Sequence, residues 1–275
     1  PWSNTMTNTL LIERPKAASD RRAIHWPRKV DLFGVGVSVT DYAEATATVL
    51  RAAGRGVPGI VTCHAVHAIV TASGDPDLRD KVNTFELVTP DGQPVRWAMN
   101  LLHRAGLVDR VYGPELMLRL CRGAAEAGIS IYLYGGDPAV AEKLRANLLR
   151  QCPGLQIAGY EAPPFRALTA EEDRAVVERI NGSGAGLLFI GLGCPKQDLF
   201  AYDHRATIRA VQVCVGAAFD FHAGVKPMAP AWMQRRGLEW LYRLIQEPGR
   251  LWRRYLVTNS VFSAKLAAAL VRRRR

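Results

Sequence analysis

The sequence predicts an α/β fold: a mostly parallel sheet with helices on both faces, followed by a basic helical appendage. Three observations point there. Largely apolar runs, such as residues 186–192 and 211–215, alternate with stretches of helical period, the pattern of strands buried on both faces. Turns rich in glycine and proline close these runs and open helices, as βα connections require. From Ala229 onward the strand pattern stops and arginine-rich, amphipathic helical sequence takes over. With 275 residues, 48% apolar and 22% charged, one large α/β domain, or one domain plus an appendage, is well within reach.

In chain order, residues 1–29 are polar with scattered Arg and Pro and no period, so an extension that is poorly ordered or lies on the surface is expected. Residues 30–37 read as a strand and 41–53 as a helix with Asp41 near its start. A short strand at 59–62 is followed by helical sequence over about 65–72 and 76–83, with Asp75 before Pro76 as an N-cap. The apolar run ending at Val88 leads into Pro90-Asp91-Gly92, then helices over 95–104 and 114–127. Residues 130–134 form a strand broken by Gly135-Gly136, and 138–151 a helix. A strand at 155–160 precedes a helix over 169–181, where Thr169 and Glu172 have capping-box spacing. The strand at 186–192, a helix over 195–205 with Pro195 first, and the strand at 211–215 complete the alternation. Two helices separated by Glu247-Pro248-Gly249 carry the tail. The predicted division is 1–29 extension, 30–228 catalytic α/β domain and 229–275 membrane-associating appendage.

Net charge is +11, and it is uneven: from Gln234 to Arg275 eleven basic residues face only Glu239 and Glu247. A nearly neutral body with a basic tail implies an anionic partner for the tail, either nucleic acid or a lipid surface. Trp232, Trp240, Tyr242, Trp252 and Tyr255 lie among the arginines, which favours a membrane interface. No nucleic-acid module accompanies the charge, so no nucleic-acid partner is expected. The five cysteines are odd in number and lack metal-type spacing; reduced, buried thiols and a cytosolic setting are expected. No run of about 18 uninterrupted apolar residues is present to span a membrane, and no signal pattern opens the chain.

Four turns lie where an α/β sheet usually places its chemistry, at the carboxyl ends of strands. Asp91 is delivered by the first, and as a turn aspartate it is also suited to bonding its own backbone. Gly135 and Gly136, and Gly191 and Gly193 with Lys196 beside them, follow strands and open helices, so backbone N–H groups and a cation there would suit a phosphate. Neither turn is a dinucleotide fingerprint or a Walker loop. Asp220 and His222 follow the last strand, which would either bring them to the same cleft or make them a polar loop that bonds itself. Thr62 is expected to donate a hydrogen bond near Asp91. His64 and His67 offer too few ligands for a metal, and Asp75-Pro76-Asp77 reads as a cap; no metal and no cofactor are expected.

Taken in order, these motifs resemble the WecG/TagA/CpsF bacterial glycosyltransferases. The resemblance rests on Thr62, Pro90-Asp91-Gly92 with Trp97 behind, Val111-Tyr112-Gly113-Pro114-Glu115-Leu116-Met117, Tyr134-Gly135-Gly136, Gly191 to Asp198, and Val215 to Asp220. It implies a Rossmann-like α/β domain and inverting, metal-independent transfer from a UDP-sugar to a sugar on a polyprenyl diphosphate at the inner membrane face. Asp91 matches the family's general base, and Thr62 and Gln197 match polar groups near the reacting centre. The basic appendage is implied to dock on the membrane and complete the site, with Arg235, Arg236 or Arg243 meeting a diphosphate. His64 stands where the family usually has Asn, which leaves the transferred sugar open among N-acetylmannosamine, its uronic acid and glucose. A homo-oligomer is left open.

Two other classes compete at this stage: a nicotinamide-dependent oxidoreductase on the same type of sheet, disfavoured by the missing fingerprint, and a non-enzymatic adaptor that uses only the basic tail.

Overall fold

The computed structural model describes residues 23–273; residues 1–22, which make up most of the predicted extension, and the last two arginines lie outside the described residues. Twenty elements follow one another. A hairpin of β1 (Lys29–Leu32) and β2 (Val35–Ser38) leads to α1 (Tyr42–Gly54), β3 (Gly59–His64), α2 (Val66–Gly74), α3 (Pro76–Asn83) and β4 (Leu87–Pro90). Next come α4 (Gln93–His103), α5 (Gly113–Ala127), β5 (Ile131–Gly135), α6 (Pro138–Gln151), β6 (Ile157–Glu161), α7 (Ala170–Gly182) and β7 (Leu187–Gly191). The chain closes with α8 (Lys196–Asp203), β8 (Val211–Cys214), α9 (Ala218–His222), α10 (Ala231–Arg235), α11 (Glu239–Gln246) and α12 (Pro248–Arg273).

Six strands form one sheet in the order β4-β3-β8-β7-β5-β6, and every pairing in it is parallel. The central strands β3, β7 and β8 are buried almost throughout, and apolar cores fill the space on both faces, which is the α/β architecture predicted from the largely apolar runs of β7 and β8. The chain runs outward from β3 to β4, jumps to β5 and β6, then returns through β7 and β8. That reversal opens a crevice at the carboxyl ends of β3, β4, β7 and β8.

The stretch 30–37 is not one strand. It folds back at Phe33 and Gly34, whose φ values of 62° and 91° make a tight hairpin turn, and β1 pairs antiparallel with β2. Asn83 fixes this turn from α3, accepting from Gly36 N–H at 2.8 Å and donating to the Gly34 carbonyl at 2.9 Å. Residues just before the hairpin join the packing, with Trp26 lying against Gly59. Elsewhere local signals act as read: Asp41 and Asp75 cap α1 and α3, and Thr169 with Glu172 closes a capping box. All five cysteines are free thiols; Cys121, Cys152 and Cys214 are buried.

The C-terminal segment forms three helices rather than two. One face of α12 packs on α2 and α4. There Phe262 is 4% exposed and meets Phe33 edge-on at 5.3 Å, a burial that contributes about 2 kcal/mol. The hairpin turn thus seats the tail helix. The opposite face stays in solvent with Trp252, Leu256 and Val257 exposed. Among the described residues no helix is long and apolar enough to cross a membrane.

Candidate active site

A cavity of about 800 Å³ lies over the carboxyl edge of the sheet. Its floor is made by the turns after β3, β4, β7 and β8, and its roof by α11 and α12. The sequence dictates the floor directly, because each parallel strand must end in a loop at this edge. The roof follows from α12, whose residues Arg250, Arg254, Thr258 and Phe262, one turn apart, all line the cavity as one helical stripe.

Asp91 stands at the end of β4 and lines the cavity. Its backbone N–H donates to the Thr89 and His64 carbonyls at 2.9 and 3.2 Å. Its Oδ2 accepts from Gly113 N–H at 3.1 Å, at the first residue of α5. Enclosure by protein pushes the carboxyl up most strongly; Arg110 draws it down, Glu239 pushes it up, and the Gly113 N–H and Arg243 draw it down, leaving it at about 6. The group is therefore a carboxylate at neutral pH with more proton affinity than an ordinary aspartate.

Gln197, on the first turn of α8, lines the same cavity as Asp91, 3% exposed and with Oε1 unpaired. Gly193, with φ of 78° and nothing near its missing side chain, lets the loop before α8 form the wall between Gly191 and Lys196. Pro195 follows a cis peptide bond and is the N-cap of α8 rather than its first helical residue. Asp220 and Arg243 also line the cavity. Asp220 is held by Lys226 at 2.8 Å, and Lys226 also reaches Glu247 at 3.1 Å.

Thr62 and His64 are placed differently from the expectation. They lie beneath the floor, and Thr62 Oγ1 donates to Asp198 Oδ1 at 2.7 Å rather than to Asp91. His64 Nε2 is 3.4 Å from Asp198 Oδ2. Burial pushes the Asp198 carboxyl up, but His64 and the hydrogen bonds from Thr62 and Cys194 outweigh it and hold the group below its usual range. This cluster ties the end of β3 to the first turn of α8, directly behind Gln197. His222 likewise turns away from the cleft, its Nε2 2.8 Å from the Pro114 carbonyl.

Gly135 and Gly136 are absent from the cavity wall, and the reason is steric. Gly135 has φ of 131°, and a Cβ there would lie 2.7 Å from the Gly191 backbone. The glycine serves the close approach of two strand ends rather than a ligand. Gly135→Ala is expected to lower the unfolding free energy by roughly 1–3 kcal/mol, read from the urea midpoint. Arg235 and Arg236 are exposed and also lie outside the wall.

Sequence reasoning missed several groups that do line the cavity: His67, Arg110, Tyr112, Lys226, Glu239, Arg250 and Arg254. Burial, then Arg254 and His64, lower the His67 ring to about 4, so it is neutral at ordinary pH. Arg250 and Arg254 were legible as an i, i+4 pair on the face that carries Phe262. Arg110 immediately precedes Val111-Tyr112-Gly113-Pro114, a motif already quoted, but nothing local says where its side chain turns. Among the described residues no group of three His, Cys, Asp or Glu side chains is placed to hold a metal ion.

An open parallel sheet with a half-buried carboxylate and several cations at its carboxyl edge defines an α/β enzyme acting on an anionic substrate. The chain belongs to the glycosyl transferase WecG/TagA/CpsF family, whose model matches residues 30–275. It is thus a member of a glycosyltransferase family of cell-surface polysaccharide synthesis, which in general uses a nucleotide-sugar donor and a lipid-linked acceptor.

Proposed function

We propose that the protein moves a hexose or N-acetylhexosamine from a UDP-sugar to a polyprenyl-diphosphate-linked sugar, with inversion and without a metal, and that Asp91 is the general base. The observation that carries this reading is Asp91 itself: a carboxylate with raised proton affinity, fixed through one oxygen by a helix N-terminus, facing a cavity walled by cations. Inversion by direct displacement needs one base to take the acceptor hydroxyl proton as the new bond forms. It also needs positive charge where the nucleoside diphosphate departs. Among the described residues Lys196, Arg243 and Arg254 line the cavity with no carboxylate in ion-pair contact, which leaves them free to meet that charge. Gln197 offers an unpaired amide oxygen at the same wall, suited to a sugar hydroxyl. Thr62 and His64 act from behind, holding Asp198 and hence the turn that carries Gln197.

The appendage boundary near residue 229, its role as a membrane-associating unit and a station on the inner face of the plasma membrane belong to the same proposal. Support comes from α11, an amphipathic helix in which no residue is buried, and from the exposed Trp232, Ile245, Trp252, Leu256 and Val257 among exposed arginines. Such a face suits an anionic bilayer surface.

A panel of UDP-sugars offered with a polyprenyl-diphosphate-linked sugar, followed by UDP release, tests the activity. One sugar is expected to turn over in an acceptor-dependent way. Thermal stabilisation by NAD with none by UDP, and no release from any donor, would point instead to the oxidoreductase class.

A further inference from the structure

Arg110 and Glu239 come from opposite sides of the cleft and are 129 positions apart in sequence. Arg110 Nη2 donates to Glu239 Oε2 at 2.6 Å and to Gln234 Oε1 at 3.2 Å. Its guanidinium lies over the Tyr112 ring at 4.1 Å. Both side chains are largely buried, with 7% and 12% exposed, and both line the cavity with Asp91. The turn that brings Glu239 there is pressed on α4, since a Cβ at Gly237 would lie 2.9 Å from the Trp97 ring. Neither charge is used in the displacement outlined above.

A buried ion pair adds little net stability, yet removing one partner leaves a costly unpaired charge. Two carboxylates act on the Arg110 charge, Glu239 more strongly and Asp91 next. We propose that Arg110 and Glu239 are a positioning pair that couples seating of α10 and α11 to the reactivity of Asp91. With Glu239 seated, the guanidinium is occupied and Asp91 is left to act as a base. With Glu239 withdrawn, that cation turns to Asp91 and holds it as a weakly basic carboxylate. The inference rests on Asp91 being the base of the proposed reaction. Its consequence is that the base gains proton affinity only when the tail covers the site, so that water in an open cleft meets a poorer base than the acceptor meets in a closed one.

The surroundings of Asp91 agree in sign. Arg110 and Arg243 favour its charged form and Glu239 opposes it, while the Gly113 N–H holds it from α5. Tyr42 of α1, Tyr112 and Cys63 of β3 feel the Asp91 charge, and enclosure, their leading influence, drives all three upward in pKa, so they stay neutral at ordinary pH.

Two readouts on the full chain test the latch without turnover. The first is the titration of Asp91 by carboxyl carbon NMR, assigned with Asp91→Asn, in the wild type, Glu239→Gln and Glu239→Asp. The Asp91 midpoint is expected to fall by roughly one pH unit or more in Glu239→Gln and to return toward wild type in Glu239→Asp. The second is trypsin cleavage after Lys226, Arg235 and Arg236, expected to run several-fold faster in Glu239→Gln and to be slowed again in Glu239→Asp. An unchanged midpoint, or unchanged cleavage, in Glu239→Gln overturns the proposal. Failure of every UDP-sugar to react would remove the functional reading while leaving both readouts intact, so the two failures are distinguishable.

Discussion

Asp91→Asn is expected to keep UDP binding within about twofold and to cut transfer by about 10²–10⁴-fold, the usual contribution of a positioned base. The amide is nearly isosteric, and its oxygen can still accept from Gly113 N–H, so the turn after β4 keeps its shape. What is lost is the proton acceptor. The pH profile follows from the same group. In the proposed reaction the carboxylate is the working form, and its value stands at about 6, so kcat/KM for the wild type should rise with pH through that region and then level. Near-normal turnover by the variant would remove Asp91 from the mechanism, whereas a wild-type acid limb near the ordinary aspartate value of about 4 would remove only its raised proton affinity.

The same substitution has an opposite effect on stability. The folded-state value of Asp91 is raised above its unfolded value, from 3.8 to about 6. Its contribution is therefore most favourable below about pH 4 and is lost as pH rises toward the folded value. At neutral pH the ionised group opposes folding by roughly 2 kcal/mol, discounted from the full shift because the side chain opens onto a cavity that water reaches. Asp91→Asn should therefore melt higher than the wild type at pH 7 and about equally at pH 4. A less active but more stable variant is what a base held in an unfavourable place predicts.

Much of this architecture was legible in the chain because it is written in short-range patterns. Largely apolar runs identify β7 and β8 without reference to any other part of the molecule, and Thr169 with Glu172 fixes a helix start within four residues. The hairpin at Phe33 and Gly34 was not legible as such, since a non-glycine residue at positive φ hides a turn inside an apolar stretch; Phe33 is held there by Asn83 around the turn and by Phe262 beneath it. Within the site, the floor residues Asp91, Gly193 and Lys196 were readable because strand ends in a parallel sheet converge, and Gln197 only through the resemblance. Thr62 was expected beside Asp91 and His64 was placed near the sugar by resemblance, but their burial against Asp198 depends on which way the face of β3 that these two side chains share is turned, a choice that only the packed sheet decides. Arg110 and Glu239 meet across the fold, and no local pattern encodes such a pair.

The second large effect concerns the face that the tail turns outward. Deleting everything from residue 234 is a poor test, because it also removes Leu251, Thr258 and Phe262, which are buried against the body; loss of liposome binding would then be confounded with loss of the fold. The exposed side chains separate the two. Ile245, Trp252, Leu256 and Val257 are 67%, 52%, 62% and 57% exposed, so replacing them with Ser should leave the melting temperature within a few degrees. If these side chains enter a bilayer interface, each contributes about 1 kcal/mol from the half of its surface that is free to be buried. Together that is about 4 kcal/mol, or roughly 10³-fold in partition to anionic vesicles. The arginines should add a salt-dependent part, about 1 kcal/mol each near an anionic surface, so raising ionic strength should weaken binding of both proteins while preserving the gap between them. Equal partition of the fourfold variant and the wild type at every salt concentration would exclude this face from the membrane. The tail would then be a lid for the cavity and nothing more, closed by Arg110 and Glu239 without help from lipid.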